Sequence, residues 1–255
     1  MRGSFFNQPE TVVTSLFTVN EDMKHNLELI RRSVKAGAQG IAVQLMDMPP
    51  EMRTVKNYKK MMDAAPELPF MFILYRSDKF LGADDEARQP YLLKAAEAGA
   101  EVIDVMGDLF DPSPYELTWS RAAAAKQKKL IEEIHALGAK VVMSSHMPHA
   151  RTAEEILAHL REQESRGADI LKIVTRADTG EELAEAFRAT ALLKRTLDKP
   201  FIQLCGGKFS RPHRYLGPKL GLAIAFAVLD ETPGSQPSIG HLRTVLDTID
   251  WPPRA

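Results

Sequence analysis

The sequence predicts a (β/α)8 TIM barrel built as a single domain over residues 1–255. Short apolar, β-rich runs alternate with helical stretches eight times, and such alternation implies a parallel sheet with right-handed crossovers. The chain length of 255 residues suits eight strand–helix units. No Gly-x-Gly-x-x-Gly follows the first strand, which weakens the alternative, an open doubly wound sheet that binds a dinucleotide.

The elements follow in order. Thr11–Phe17 is the first strand, and Asn20-Glu21-Asp22 opens a helix that ends near Ala36 at Gly37. Gly40–Met46 is the second strand, punctuated by Pro49-Pro50, with a helix over Glu51–Ala65. Pro69–Arg76 is the third, followed by a helix over Asp84–Ala98 that stops at Gly99. Glu101–Met106 is the fourth, then a proline-containing loop through Pro114 and a helix over Ser120–Leu137. Ala139–His146 is the fifth; Thr152 and Glu155 then form a capping-box pattern at the head of a helix running to Arg166. Ala168–Thr175 is the sixth, with a long helix over Thr179–Leu197. Phe201–Cys205 is the seventh and enters Gly206-Gly207; Gly221–Val228 holds the eighth, and Ser238–Ile249 is the last helix.

Hydrophobic residues make up 44% and charged residues 26%, the balance of an ordinary soluble globular protein with a full core. A net charge of -1 gives no electrostatic case for nucleic acid or an anionic membrane. Cys205 is the single cysteine, which excludes an intrachain disulfide and a cysteine-rich metal site. The first residues lack the apolar run of a signal peptide, and no apolar stretch is long enough to span a bilayer. The expectation is a cytoplasmic protein.

The chemistry concentrates on two neighbouring strands. Lys172 lies within the apolar run of the sixth. Loss of hydration there disfavours the charged form, and a neutral amine in a closed site is a carbonyl nucleophile. The competing reading is a lysine that snorkels to water from a strand end. The fifth strand ends in His146, which can face the same cavity, and an imidazole is the usual proton shuttle near neutral pH. His149 could pair with His146 on a metal, but Pro148 intervenes and no acidic partner stands nearby, so no metal is expected. Asp108, Asp111 and Glu116 read as a solvated loop. His213 and Arg214 read as loop residues over the barrel mouth that either add positive charge for an anionic substrate or are simply solvated.

Lys-Val-Val-Met-Ser-Ser-His, then a helix, then Ala-Asp-Ile-Leu-Lys-Ile, resembles the type I 3-dehydroquinate dehydratases. The resemblance implies that Lys172 forms the Schiff base and that His146 is the general acid/base. It implies that Arg76, in Arg-Ser after the third strand, contacts substrate and that Ser15 lines the site. Arg211, at the end of Gly-Lys-Phe-Ser-Arg, inherits the grip on the substrate carboxylate, and Gln236 matches the family's Pro-Gly-Gln loop with one residue inserted. The resemblance also places Gln44 and Gln203 at substrate-facing positions on strands two and seven.

The departures from the family pattern cluster in the second strand. Its Glu-x-Arg-x-Asp becomes Ala42, Gln44 and Met46; a glutamate after Arg-Ser becomes Phe80, and a methionine becomes Gln203. A site stripped of partners for ring hydroxyls relaxes or redirects its choice of substrate. The resemblance therefore implies a lyase dehydrating 3-dehydroquinate or a related cyclic hydroxyketo acid, in the manner of the shikimate pathway. It needs no cofactor beyond the covalent imine on Lys172. Its partner is a small carboxylate-bearing ketone, and the chain is expected to form a homodimer. Another class I lysine enzyme, such as an aldolase, and a non-catalytic binding or regulatory relative remain open.

Overall fold

Local signals set the element boundaries. Asp22, Thr54, Asp84, Ser120, Thr152, Thr179 and Ser238 each open a helix by accepting the backbone N–H three residues on. Thr152 and Thr179 form full capping boxes with Glu155 and Glu182. Gly37, Gly99, Gly138 and Gly167 follow helix ends with φ of 91°, 99°, 86° and 102°, a conformation that strains any residue with a Cβ.

The computed structural model describes residues 3–232 and 236–249. Its elements are β1 (Val12–Thr18), α1 (Met23–Lys35), β2 (Gly40–Gln44), α2 (Val55–Met62), β3 (Phe70–Ile73), α3 (Asp85–Glu97), β4 (Val102–Met106), α4 (Arg121–Ala136), β5 (Lys140–His146), α5 (Ala153–Ser165), β6 (Ile170–Arg176), α6 (Gly180–Thr196), β7 (Phe201–Gly206), α7 (Ser210–Leu216), β8 (Ile224–Ala227) and α8 (Ile239–Thr248). Two segments differ from the sequence expectation. The helix expected over 51–65 splits into a 3-10 turn at Pro50–Met52 and the shorter α2, because Thr54 caps a new start. The segment after β7, expected as loop, forms α7 and makes His213 and Arg214 helical.

The strands form one parallel sheet in the order β7-β6-β5-β4-β3-β2-β1-β8. The backbone bond from Ala223 N–H to Phe201 O, 2.9 Å, stitches the seam between β8 and β7 and nearly closes the barrel. No helix among the described residues is long and apolar enough to cross a membrane.

Strand side chains alternate between faces, and residues in register share a face. Ser144 pairs with Lys172 and His146 with Val174, so Ser144, His146 and Lys172 project into the lumen together. Asp104, two residues before the Met106 that pairs with Ser144, joins them. Ser15 and Gln203 fall on the opposite face. Ser15 Oγ lies 2.8 Å from Ser33 Oγ on α1, and Gln203 bonds to Thr190 on α6. The expectation that these two line the substrate pocket is corrected: both sit in the strand–helix layer, one residue out of phase with the lumen.

Candidate active site

Lys172 is 4% exposed, yet its amine is not alone. Nζ lies 2.7 Å from Tyr75 Oη, just past β3, and 3.3 Å from Asp104 Oδ2 on β4. Tyr75 Oη donates to the same Asp104 oxygen at 2.7 Å, and Ser144 donates to the other. The rings of Tyr75 and Phe226 face the amine with centroids at 5.4 and 5.5 Å. Burial first, and the Asp104 carboxylate second, hold the Tyr75 phenol well above its ordinary pKa. Tyr75 is therefore a phenol at neutral pH, accepting from Lys172 while donating to Asp104.

His146 stands one layer nearer the mouth, at the carboxyl end of β5. Its Nδ1 lies 2.8 Å from Glu116 Oε2, and that oxygen also accepts the His146 backbone N–H at 2.8 Å. A carboxylate at Nδ1 fixes the ring orientation and places the neutral ring's proton on Nδ1, leaving Nε2 as the base. The Tyr75 and His146 rings meet edge to face, 5.3 Å apart. Burial alone would raise the Glu116 carboxyl; the hydrogen bonds and charge of His146 outweigh it and hold the group below the usual range.

The loop between β4 and α4 delivers Glu116. Ser145, on the outer face of β5, donates to Glu116 O at 2.6 Å. Its single proton being used there, Ser145 Oγ accepts from His159 Nε2 at 2.8 Å and from Gln163 at 3.1 Å. Arg166, fully buried, donates to Gly107 O, Thr118 O and Gln127 Oε1, and so pins both ends of the loop. Neither Glu116 nor Asp108 belongs to a solvated face: Asp108 is 1% exposed and bound by Arg76.

That bond is one of several that Arg76 makes to protein carboxylates. Its Nε and Nη2 reach Asp85 at 3.0 and 2.6 Å, and Nη1 reaches Asp108 at 2.7 Å. All three nitrogens are taken by protein carboxylates, so Arg76 braces the loops after β3 and β4. Arg211, at the start of α7, is 50% exposed and pairs with Glu231. Arg214, one helical turn on, donates to Gln236, which brings α7 and the segment before α8 together; Pro233 to Ser235 lie outside the described residues. Gln44 faces inward and accepts from Thr18 Oγ1 at 3.1 Å. His213 is fully buried, with Nε2 2.9 Å from Thr190 Oγ1, and burial pushes it down to about 4. It is neutral, and adds no positive charge at the mouth.

Ala42 and Met46 are buried apolar residues in β2 and just beyond it. Phe80 lies over the Arg53 guanidinium at 5.7 Å, next to the Arg53–Asp78 ion pair. Among the described residues no cluster of three histidine, cysteine or acidic side chains is arranged to hold a metal ion. A cavity of about 620 Å³ lies at the opposite end of the barrel, against the starts of β1, β7 and β8 near Thr11, Phe201 and Ala223, well away from Lys172.

Of these groups, Lys172 and His146 were visible in the sequence. Asp104 carried the same signal as Lys172, a charge inside an apolar strand, and passed unnoticed. Tyr75 and Glu116 carried no local signal.

The fold and site define a class: parallel (β/α)8 enzymes with a buried lysine on one strand and a carboxylate-oriented histidine on the next. The chain belongs to the type I 3-dehydroquinase family, whose profile matches residues 14–251. The 3-dehydroquinate dehydratase of Klebsiella pneumoniae subsp. pneumoniae is 30% identical over 194 residues, covering 73% of this chain and 71% of that one. That of Shouchella clausii is 31% identical over 170 residues, 65% and 64% of the two chains. The barrel superposes on the 3-dehydroquinate dehydratase of Geobacillus kaustophilus with a TM-score of 0.77 at 20% identity, over 93% of this chain and 90% of that one. For the Clostridium difficile type I enzyme, solved with covalently modified comenic acid, the TM-score is 0.78 at 18% identity, over 94% and 92%. The protein is a lyase of the dehydratase kind.

Proposed function

We propose that the protein dehydrates 3-dehydroquinate or a related cyclic hydroxyketo acid through an imine on Lys172. The observation that carries this reading is the shared lumen face of Lys172 and His146, with the amine buried and the imidazole oriented by Glu116. Lys172 adds to the ring ketone and water leaves. The protonated imine withdraws electrons from the adjacent C–H bond, so the lysine itself is the electron sink and no further cofactor is called for. His146 Nε2 takes that proton. The resulting enamine expels the β-hydroxyl, which His146 protonates as it departs, and hydrolysis of the imine frees the enone and the lysine. From 3-dehydroquinate the product is 3-dehydroshikimate, a step of the shikimate pathway.

Arg211 supplies a guanidinium for the substrate carboxylate, with Gln236 and Gln44 as polar partners at the rim. This assignment rests on the family's Gly-x-x-Ser-Arg spacing, kept here from Gly207 to Arg211. For Arg211 to serve, substrate must compete with Glu231 for it. The same resemblance supports a homodimer working in the cytoplasm.

Ala42, Gln44, Met46 and Phe80 leave few partners for vicinal hydroxyls, and an unpaired buried hydroxyl costs about 1–3 kcal/mol. A carboxylated ring ketone with fewer or altered hydroxyls is therefore the better substrate. Borohydride added during turnover is expected to fix a mass increment on Lys172; an adduct on another lysine with an accepted substrate defeats the assignment. Steady-state kinetics on 3-dehydroquinate decide the substrate. A kcat/KM below about 10⁴ M⁻¹s⁻¹ fits the altered pocket, whereas a higher value, typical of a physiological substrate, shows that the substitutions are compensated.

A further inference from the structure

His146 and Glu116 account for a proton moving at the substrate carbon. They do not account for the protons moving at nitrogen. A lysine in water is an ammonium, and an ammonium has no lone pair to offer a ketone. Before the imine forms, Lys172 must lose a proton. Before the carbinolamine collapses, its hydroxyl must gain one. Something within reach of Nζ has to handle both transfers, and burial keeps bulk water from doing so freely.

Among the described residues two groups lie within hydrogen-bond reach of Nζ, and they are bonded to each other. Tyr75 Oη is at 2.7 Å and Asp104 Oδ2 at 3.3 Å, with 2.7 Å between the two oxygens. The stepwise path Nζ–Oη–Oδ2 therefore has two short, strong bonds, whereas the direct path is longer than an ordinary charged hydrogen bond. Asp104 is fixed for the purpose: Ser144 holds its second oxygen, and its side chain is wholly buried. His146 is the neighbour that could compete for the task. It meets Tyr75 ring edge to ring face, and its Nδ1 faces Glu116 instead.

We propose that Tyr75 is a further catalytic residue, a proton relay between Lys172 and Asp104 that serves imine formation while His146 serves elimination. This rests on the reading of Lys172 as the imine-forming residue and adds the device that makes its amine reactive. In the first transfer the Lys172 N–H proton passes to Tyr75 Oη as the phenolic proton passes to Asp104. The lysine becomes a neutral amine, the aspartate a carboxylic acid, and the tyrosine is unchanged. The amine then forms a C–N bond to the ketone, and a proton moves from that nitrogen to the new alkoxide. In the second transfer the acid proton returns along the same path to the carbinolamine hydroxyl. The C–O bond breaks, water leaves, and the protonated imine remains beside an Asp104 carboxylate. In sum an ammonium and a ketone give a protonated imine and water. The relay needs a tyrosine that never ionises, and the raised phenol supplies it.

A test that does not depend on the natural substrate uses formaldehyde as the carbonyl. Imines formed with it are trapped by cyanoborohydride as methyl groups, and each lysine is followed by peptide mass. Tyr75→Phe keeps the ring against His146 and removes only the hydroxyl. The expected result is at least a tenfold slower methylation of Lys172 in Tyr75→Phe, with the exposed Lys129 reacting at an unchanged rate in the same digest. Asp104→Asn, which removes the acceptor, is expected to slow Lys172 as much. Methylation of Lys172 in Tyr75→Phe at the wild-type rate overturns the relay, and so does a Lys172 that is inert in both proteins. A Lys172 that depends on Tyr75 for formaldehyde, in a protein that traps no keto acid, leaves the relay standing and defeats the substrate reading instead.

Discussion

The two sides of the barrel lumen treat charge in opposite ways. On the β4–β6 side, hydrogen bonds link Lys172 through Tyr75 to Asp104 and Ser144, and His146 to Glu116. On the β2 side, Ala42 and Met46 are buried and apolar, and Gln44 supplies a single neutral amide. A buried charge left without its partner costs several kcal/mol, while a whole charged set replaced by apolar residues can be neutral. The catalytic side therefore changes only as a unit. The β2 side, with no charge at Ala42, Gln44 or Met46, has no buried ion there to leave unpartnered.

That contrast is broken most directly at its centre. Lys172→Met is expected to lower turnover by on the order of 10⁴–10⁶, the scale of a lost nucleophile. It also leaves Asp104 buried without its cation, so thermal melting of the variant separates lost chemistry from lost fold. If turnover survives the change, the two sides do not differ in the way described.

His146→Ala removes the base but not the imine. Turnover is expected to fall by about 10²–10⁴ while borohydride trapping at Lys172 persists. His149→Ala, whose residue lies beyond Pro148, serves as the comparison. A larger loss from His149→Ala would exchange the two roles.

Acid probes the scaffold behind the catalytic side. Burial pushes His159 and His213 each down to about 4, against 6.5 for a free imidazole. A histidine with a depressed folded pKa favours the folded state fully above pH 6.5, and that advantage drains away as pH falls to about 4. Each contributes roughly 3 kcal/mol at most across that window. Denaturant titrations at pH 7 and pH 4.5 are expected to show the loss, and the double change His159→Gln, His213→Gln to flatten it. An unchanged slope would mean that neither ring is held neutral.

The finest distinction concerns Glu116→Gln. The amide keeps an oxygen for the His146 backbone but no charge for the ring. A kcat about tenfold lower with KM little altered is expected, the low end of the range for a carboxylate that orients a functional imidazole. Because the Glu116 carboxyl is held below its usual range, its contact with His146 persists as pH falls past about 4.5 and is lost only on passing the lowered value. Loss of activity confined to KM would place Glu116 with the substrate rather than with the histidine.

The barrel was legible because its signals are local: seven helices open on a capping residue and four are followed by a glycine. Lys172 and His146 were legible for the same reason, since a charge in an apolar strand and a histidine at a strand end each stand out within a few residues. Ser15 and Gln203 were misplaced because a strand's inner face is fixed by its register with its neighbours, and the residue types around them do not reveal that register. The ion pairs of Arg76 were not legible because the carboxylates it binds lie 9 and 32 residues away. Glu116 reaches His146 across 30 residues of chain, through a loop whose path no short pattern encodes.

That path has a tension in it. Glu116 holds a left-handed backbone conformation, φ 45°, which costs a residue with a Cβ about 1–3 kcal/mol. What keeps it there includes Arg166, just past the end of α5, gripping Gly107 and Thr118 on either side. The loop behaves as a drawn bow with Arg166 as the string. A mutation in the outer helical shell, far from any substrate, would release it and withdraw the carboxylate from His146 without touching the lumen. An Arg166→Gln variant is expected to lower kcat through this release while borohydride trapping at Lys172 persists; an unchanged kcat would show that the loop holds without it.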